Sequence, residues 1–245
     1  MSHVIAILNQ KGGVGKTTTA LSLAAYLAKA GRSVLVVDFD PQGNATSGLG
    51  QDKQAAEVTT YDILFDSART ASALQETNLS NLYLLPSNEN LAAAEIDLSG
   101  EQKREFKLRD ALLGLEYDFI LIDCPPALGL LTINALTAAD YLLIPVQAEY
   151  YALEGLSQLL SVVQRVRGGL NPGLELLGVI ITMFDGRTAL AEQVHSEIKK
   201  HFSDKVFNTV IPRNVRLAEA PSYGRTILEH DKWSKGARAY KNLSK

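Results

Sequence analysis

Apolar residues along this chain fall into short continuous runs, not alternating ones. Strand-like segments are predicted at residues 3–8, 34–37, 82–85, 119–122, 141–144, 176–182 and 206–210. Unbroken β-rich runs are what a parallel strand covered on both faces requires. Between them the spacing becomes helical. Residues 16–30 place Ala20, Leu23, Ala24 and Leu27 on one side and stop at Gly31. Further helices are expected at 59–65, 91–98, 103–113, 130–138, 152–167 (closed by Gly168 and Gly169), 189–201 and 235–242. Residues 41–50, PQGNATSGLG, read as a loop by composition. Strands alternating with helices predict a three-layer α/β domain over residues 1–245, with a mostly parallel twisted sheet flanked by helices. No repeat, low-complexity tract or linker divides it.

Between the first strand and the first helix lies NQKGGVGKTTT, residues 9–19. Gly12, Gly13 and Gly15 allow successive backbone N–H groups to converge, and the next helix aims its positive end at the same spot. An anion belongs there. The Gly-Lys-Thr ending matches a P-loop, in which Lys16 reaches the β- and γ-phosphates and the Thr17 hydroxyl holds Mg²⁺. The first glycine of that pattern is replaced by Gln10, and a second lysine, Lys11, follows. A purely structural glycine turn is the competing reading.

Acids arrive at the same rim, because ligands in open α/β sheets sit beyond the C-terminal ends of the strands. Asp123 ends a strand and is the candidate magnesium acid, with a simple cap as its alternative. Asp38 and Asp40 share side-chain parity, so both can face the phosphates and one can orient a water, unless they serve only the turn into Pro41.

Composition narrows the class. The 245 residues are 46% hydrophobic and 21% charged, as in an ordinary globular protein. The lone Cys124 excludes an intramolecular disulfide and suits a reducing cytosol; with no histidine pattern nearby it reads as a small buried residue. His3, His195, His201 and His230 show no metal spacing. No targeting segment is evident, and the longest apolar region, 127–146, is interrupted by Asn134, Asp140 and Pro145. The net charge of −3 hides an asymmetry: residues 187–245 hold 12 Lys+Arg against 6 Asp+Glu, so the rest of the chain is acidic. Such a tail is either a local anion-binding face or a solvated surface.

NQKGGVGKTTT, VVDFDPQGNAT (36–46) and LIDCPP (121–126) together resemble the ParA-type chromosome and plasmid partition ATPases of the deviant-Walker family, which includes MinD-type proteins. The resemblance continues through TMFDGRT (182–188) and VIPRNVRLAEAPSYG (210–224), and without a long N-terminal extension it is to the small chromosomal type. It implies a P-loop fold and slow hydrolysis of ATP with Mg²⁺. Lys11, Gly12, Gly13, Val14, Gly15, Lys16, Thr17 and Thr18 would bind nucleotide, with Lys11 reaching the partner subunit's ATP in a homodimer and Gly12 avoiding a clash with that partner's loop. Asp40 matches the acid associated with the hydrolytic water, so Lys11, Lys16 and Asp40 form the catalytic set, and Thr17, Asp38 and Asp123 surround the metal. Met183, Pro212 and Asn214 fall in segments resembling the adenine pocket, although Met183 also suits core filling; a guanine-type Asn-Lys-x-Asp motif is missing.

Arg187 and Arg216 match positions that contact phosphates of nonspecific double-stranded DNA. Four such contacts per dimer give a log–log salt slope of roughly −3.6, or about 150-fold weaker binding between 50 and 200 mM salt. Lys199, Lys200, Arg213, Lys235, Arg238 and Lys241 are candidates to widen that field. A ParB-type centromere-binding partner would accelerate hydrolysis, since no arginine finger, worth roughly 10³ to 10⁵ in rate, is evident. The expected location is cytoplasmic and nucleoid-associated. A MinD-type membrane switch is the weaker reading, because the ending SKGARAYKNLSK lacks large apolar residues. A small-molecule-activating P-loop enzyme is another; a nitrogenase iron-protein type lacks the cysteines it needs.

Overall fold

The computed structural model describes residues 2–149 and 152–245. Seven strands form one sheet: β1 (His3–Ile7), β2 (Val34–Asp38), β3 (Gln75–Glu76), β4 (Leu82–Leu85), β5 (Phe119–Asp123), β6 (Tyr141–Gln147) and β7 (Glu175–Thr182). Their order is β3-β4-β2-β5-β1-β6-β7, parallel throughout except for the β3–β4 edge pair. The expected three-layer, mostly parallel architecture is therefore present.

Strand periodicity feeds two cores. Ala6, Leu8, Leu35, Val37, Ile120 and Ile122 point to one face of the sheet. Ile5, Ile7, Val34, Val36 and Leu121 point to the other. The first face is covered by α3 (Thr60–Phe65), α4 (Thr70–Ala73), α5 (Ala94–Asp97), α6 (Lys107–Leu112), α7 (Leu130–Ala138), α8 (Ala152–Gly169) and α9 (Ala189–Phe202). The second is covered by α1 (Lys16–Lys29), α2 (Asn44–Gly48), α10 (Val215–Glu219), α11 (Ile227–Asp231) and α12 (Lys235–Leu243). Parity carries past the core: Asp38 continues the Val34, Val36 series and Asp123 the Phe119, Leu121 series, so both acids emerge on the α1 face.

Several local expectations change. The segment 41–50 is not all loop: α2 forms after Gly43, whose φ of 61° is left-handed, and Gly48 packs against Leu21 of α1. The helix expected at 91–98 is a 3₁₀ turn, one α-turn and another 3₁₀ turn, and that at 103–113 begins as a 3₁₀ turn before α6. Strand β6 runs through Pro145; β1 pairs with it only as far as Leu143, so the missing N–H falls where that neighbour has ended.

No strand forms at 206–210. Phe207 N–H donates to Val179 O and Ile211 N–H to Ile181 O, so four residues of this segment span two of β7 and the ladder reduces to isolated bridges. Helices α10 and α11 were not anticipated at all. Their short apolar sets, Leu217 and Ile227, acquire meaning only on the α1 face.

Two distant segments of the α1 face meet where Gly50 (φ 79°) packs on Gly224 (φ 60°); a Cβ on Gly224 would lie 2.8 Å from the Gly50 backbone. Gly224→Ala should therefore destabilise the protein by about 1–3 kcal/mol, the sum of left-handed strain and a backbone clash. Urea unfolding would read this as a lower midpoint at unchanged slope.

Candidate functional site

The phosphate loop hangs from the central strand β1 and is pinned on both sides. Asn9, buried, donates its Nδ2 to Pro145 O of β6 (2.8 Å) and accepts the Lys11 N–H on Oδ1 (3.0 Å). Thr182, at the end of β7, donates its hydroxyl to Val14 O (2.7 Å). Gly13 and Gly15 take left-handed φ values of 74° and 90°, which an L side chain resists, and Gly15 caps α1 without side-chain help. The first-turn N–H groups of α1 are thus left for a ligand. A cavity of about 340 Å³ opens over them, lined by Gly12, Gly13, Gly15, Lys16, Thr17, Thr18, Asp40, Gln42, Asn44, Pro126 and Met183.

Lys16 is nearly buried and donates to the Lys11 carbonyl at 3.2 Å. Burial lowers its pKa, an effect opposed mainly by Asp123. Asp123 and Asp38 face each other in register across β5 and β2, and both are fully buried. Asp38 is hydrogen-bonded: the Thr46 N–H and hydroxyl each donate to Oδ2 at 2.7 Å, and the Asp40 N–H approaches Oδ1 at 3.3 Å. Burial nevertheless pushes its pKa up to about 6. Among the described residues Asp123 has no hydrogen-bond partner on either oxygen. Burial, then the neighbouring Asp38, raises its pKa well above the ordinary range, while Lys16 and the nearby Thr17 hydroxyl favour the charged form.

An orphaned buried carboxylate beside a threonine hydroxyl and a phosphate cavity fits Mg²⁺. That ion keeps several waters and takes one or two carboxylates together with phosphate oxygens. Among the described residues no cluster of three or more His, Cys, Asp or Glu would hold a metal alone, so phosphate has to share it. Asp40 lies at the mouth: its Oδ1 accepts the Gln42 N–H at 2.9 Å, and it lines the cavity.

A second cleft, of about 370 Å³, adjoins the loop and is lined by Gly15, Thr18, Met183, Pro212, Asn214 and Tyr240 among others. Met183, Pro212 and Asn214 are thus brought together along one cleft. Met183 is not core filler. It adopts φ 50°, a strained value for a non-glycine residue, and borders both cavities. Asn214 uses its Oδ1 to cap α10, which leaves its NH₂ for the cleft.

Residues 2–176 match the family profile described as an AAA domain. The chain is 56% identical to the sporulation initiation inhibitor protein Soj of Bacillus subtilis, over 100% of this chain and 98% of that protein. It is 53% identical to the chromosome-partitioning ATPase Soj of Thermus thermophilus, over 98% and 93%. The chain belongs to the Soj/ParA family of chromosome-partitioning ATPases. Its fold also superposes on a Mycobacterium smegmatis structure named cobyrinic acid a,c-diamide synthase, solved with an ATP analogue and magnesium, at TM-score 0.87 and 38% identity over 100% of this chain and 93% of that one.

In this partition-ATPase family member the two loop lysines part company. Lys16 lines the phosphate cavity, whereas Lys11 is half-exposed, borders a separate surface depression with Gln10, Pro126, Glu154 and Gln158, and pairs with Glu149. Arg187 and Arg216 are both exposed, but neither is a free charge. Arg187 forms a two-pronged pair with Asp185 (2.6 and 2.8 Å), which lowers that acid's pKa to about 2. Arg216 pairs with Glu219 (2.8 Å) and lies 3.8 Å from Asp231. Asn9, Thr46, Thr182 and Tyr240 were missed as site residues. Thr46 and Thr182 both lie within the motifs that carry the resemblance, but the role of Thr46 depends on folding back 8 residues to Asp38 and that of Thr182 on a contact 168 residues away at Val14.

The raised Asp38 pKa has a definite sign. Stability from its protonated form is complete below the unfolded pKa of 3.8 and is lost as pH rises to about 6. In nucleotide-free protein, Asp38→Asn should gain on wild type by about 3 kcal/mol between pH 4 and pH 6 and no further above that. Denaturant titrations at each pH measure the difference.

Proposed function

We propose that this ATPase is a DNA-segregation switch: ATP with Mg²⁺ closes two copies into a sandwich dimer, the dimer binds double-stranded DNA without sequence preference, and a ParB-type partner accelerates hydrolysis to ADP and phosphate, which releases it. The observation that carries this reading is the outward placement of Lys11, away from the chain's own phosphate cavity. Its pair with Glu149 is half-exposed, and such pairs contribute only about 0–1 kcal/mol, so a phosphate from a second copy can take the lysine over.

Gly12 supports the same reading. Its φ is not left-handed, and among the described residues, its chain neighbours aside, nothing lies within 4 Å of where a Cβ would stand. A partner's loop would give a reason for glycine there. Neutralising ATP from both copies links nucleotide binding to association, so ADP should hold the dimer less well.

For the chemical step, Lys16 and the N–H groups of the loop hold the β- and γ-phosphates, and Thr17, Asp38 and Asp123 lie where the metal would be held. Asp38 would act through its charge and outer-sphere water, since its Oδ2 is already committed to Thr46. The magnesium supplies charge neutralisation on the phosphates. Asp40 orients the attacking water. The proposed setting is cytoplasmic and nucleoid-associated, without a membrane step. Among the described residues no helix is long and apolar enough to cross a membrane. The small-molecule-activating alternative draws on the 38% likeness to the enzyme named above; turnover stimulated by a small carboxylate without DNA would favour it.

Two outcomes are expected. Lys11→Ala should remain monomeric with Mg-ATP by light scattering while wild type dimerises; a normally dimerising variant would sink the crossing-lysine role. Asp40→Ala should keep ATP-dependent dimerisation and lose about 10²-fold or more in single-turnover hydrolysis. DNA binding measured with ATP, ADP and no nucleotide across salt tests the whole scheme, and equal binding in all three states would overturn it.

A further inference from the structure

Asp40 is presented to the phosphate cavity by a four-residue turn whose outer edge is held from elsewhere in the chain. Residues 40–43, Asp-Pro-Gln-Gly, have the order a tight turn favours, with aspartate first, proline second and glycine last. The Gly43 N–H donates to Asp40 O at 2.9 Å and the Gln42 N–H to Asp40 Oδ1 at 2.9 Å, so the turn's own backbone fixes the carboxylate. These bonds do not use the Gln42 carbonyl. Lys53 takes it: Nζ donates to Gln42 O at 2.8 Å, across 11 residues of chain.

The lysine is packed as well as bonded. Its stem lies across Gly43, where an added Cβ would stand 2.9 Å from Lys53 Cδ and equally 2.9 Å from Ser87 O. Its mount is fixed in turn. Asp52 O accepts the Ala55 N–H at 3.1 Å and Asp52 Oδ1 the Gln54 N–H at 2.9 Å, which closes a turn around Lys53. The preceding Gln51 donates its Nε2 to Glu76 O of β3 at 3.1 Å. Among the described residues Lys53 takes part in no ion pair. A surface lysine ordinarily keeps its ammonium in water. This half-buried one gives it to a backbone carbonyl beside the site, in a charge-assisted bond.

We infer that Lys53 is a positioning residue for ATP hydrolysis: by holding the Gln42 carbonyl it fixes the turn that aims the Asp40 carboxylate at the attacking water. The inference rests on the reading of Asp40 given above and adds to it a residue outside the motifs that carry the resemblance. Gln42 and Asp40 line the phosphate cavity and Lys53 does not, so its effect passes through the turn. The phosphate loop itself is anchored by Asn9 and Thr182 instead. Loss of the Lys53 ammonium therefore acts on the chemical step and spares nucleotide binding. Misplacing a reacting group by about 1 Å costs up to about 10²-fold in rate.

The test compares four full-length proteins: wild type, Asp40→Ala, Lys53→Met and Lys53→Arg. Methionine keeps an unbranched stem over Gly43 and removes the ammonium, whereas arginine restores a charged donor. Each protein is assayed for Mg-ATP affinity, for dimerisation with Mg-ATP by light scattering, and for single-turnover hydrolysis with protein in excess of bound ATP. Lys53→Met should hydrolyse at least about 10-fold more slowly, with affinity and dimerisation within about twofold of wild type. Lys53→Arg should recover the rate to within about threefold. Melting curves establish that each variant is folded; if Lys53→Met is not, Lys53→Gln replaces it with the same expectations.

A Lys53→Met protein that hydrolyses at the wild-type rate, while Asp40→Ala is slow, would overturn the Lys53 role and leave the Asp40 reading intact. Wild-type hydrolysis by Asp40→Ala would overturn that reading first. A loss of affinity or dimerisation as large as the loss of rate, and not rescued by arginine, would replace positioning of Asp40 by a general loosening of the nucleotide site.

Discussion

Asp123 is the group on which the arrangement turns. Parallel pairing puts its carboxylate in register with Asp38, on strands about 4.8 Å apart, and the sheet buries both. A carboxylate in that position costs several kcal/mol if ionised, a cost that Lys16 and the nearby Thr17 hydroxyl offset in part and that protonation removes. A divalent cation removes the conflict. The nucleotide-free protein therefore stores an electrostatic cost at the C-terminal edge of its central strands, and the ligand that relieves it must bring positive charge together with phosphate. Asp38 escapes the worst of the conflict through Thr46, which is why the helical turn at Asn44–Gly48 belongs to the site and not to the loop surface.

Around that acid pair the two lysines of the loop have opposite environments. Lys16 is sunk among carboxylates and carbonyls, ready for a phosphate held within the same chain. Lys11 stands on the outside, held by an exposed pair too weak to immobilise it. The anchors that make this division possible are remote: Asn9 fastens the loop's entrance to β6 and Thr182 fastens its crest to β7. The strained Met183 follows Thr182 directly, so the backbone that secures the phosphate loop also shapes the adjoining cleft.

Electrostatics on the α1 face are sorted by pairing as much as by count. The arginines that motif comparison emphasises are matched with acids, and the cations of the last helix are not. Arg216 and the cations of the last helix lie on the α1 side of the sheet, on helices joined through Leu217 and Gly236.

By itself the sequence determined the architecture and the phosphate chemistry, because both depend on local order: apolar runs of strand length, a glycine-rich turn between strand and helix, and acids at strand ends. Position at the C-terminal end of a strand was enough to put Asp38 and Asp123 on one rim. What only the tertiary structure decided depends on contacts between distant residues. No local pattern reveals that Thr46 satisfies Asp38 while Asp123 is left without a hydrogen bond among the described residues, that Tyr240 meets Thr19 from 221 residues away and lines the cleft beside the loop, or that residues 206–210 lose their ladder to a register mismatch with β7. Charge counting found the basic tail, but whether a given cation is free depends on which acid the fold brings beside it, and that is settled only when the helices are packed.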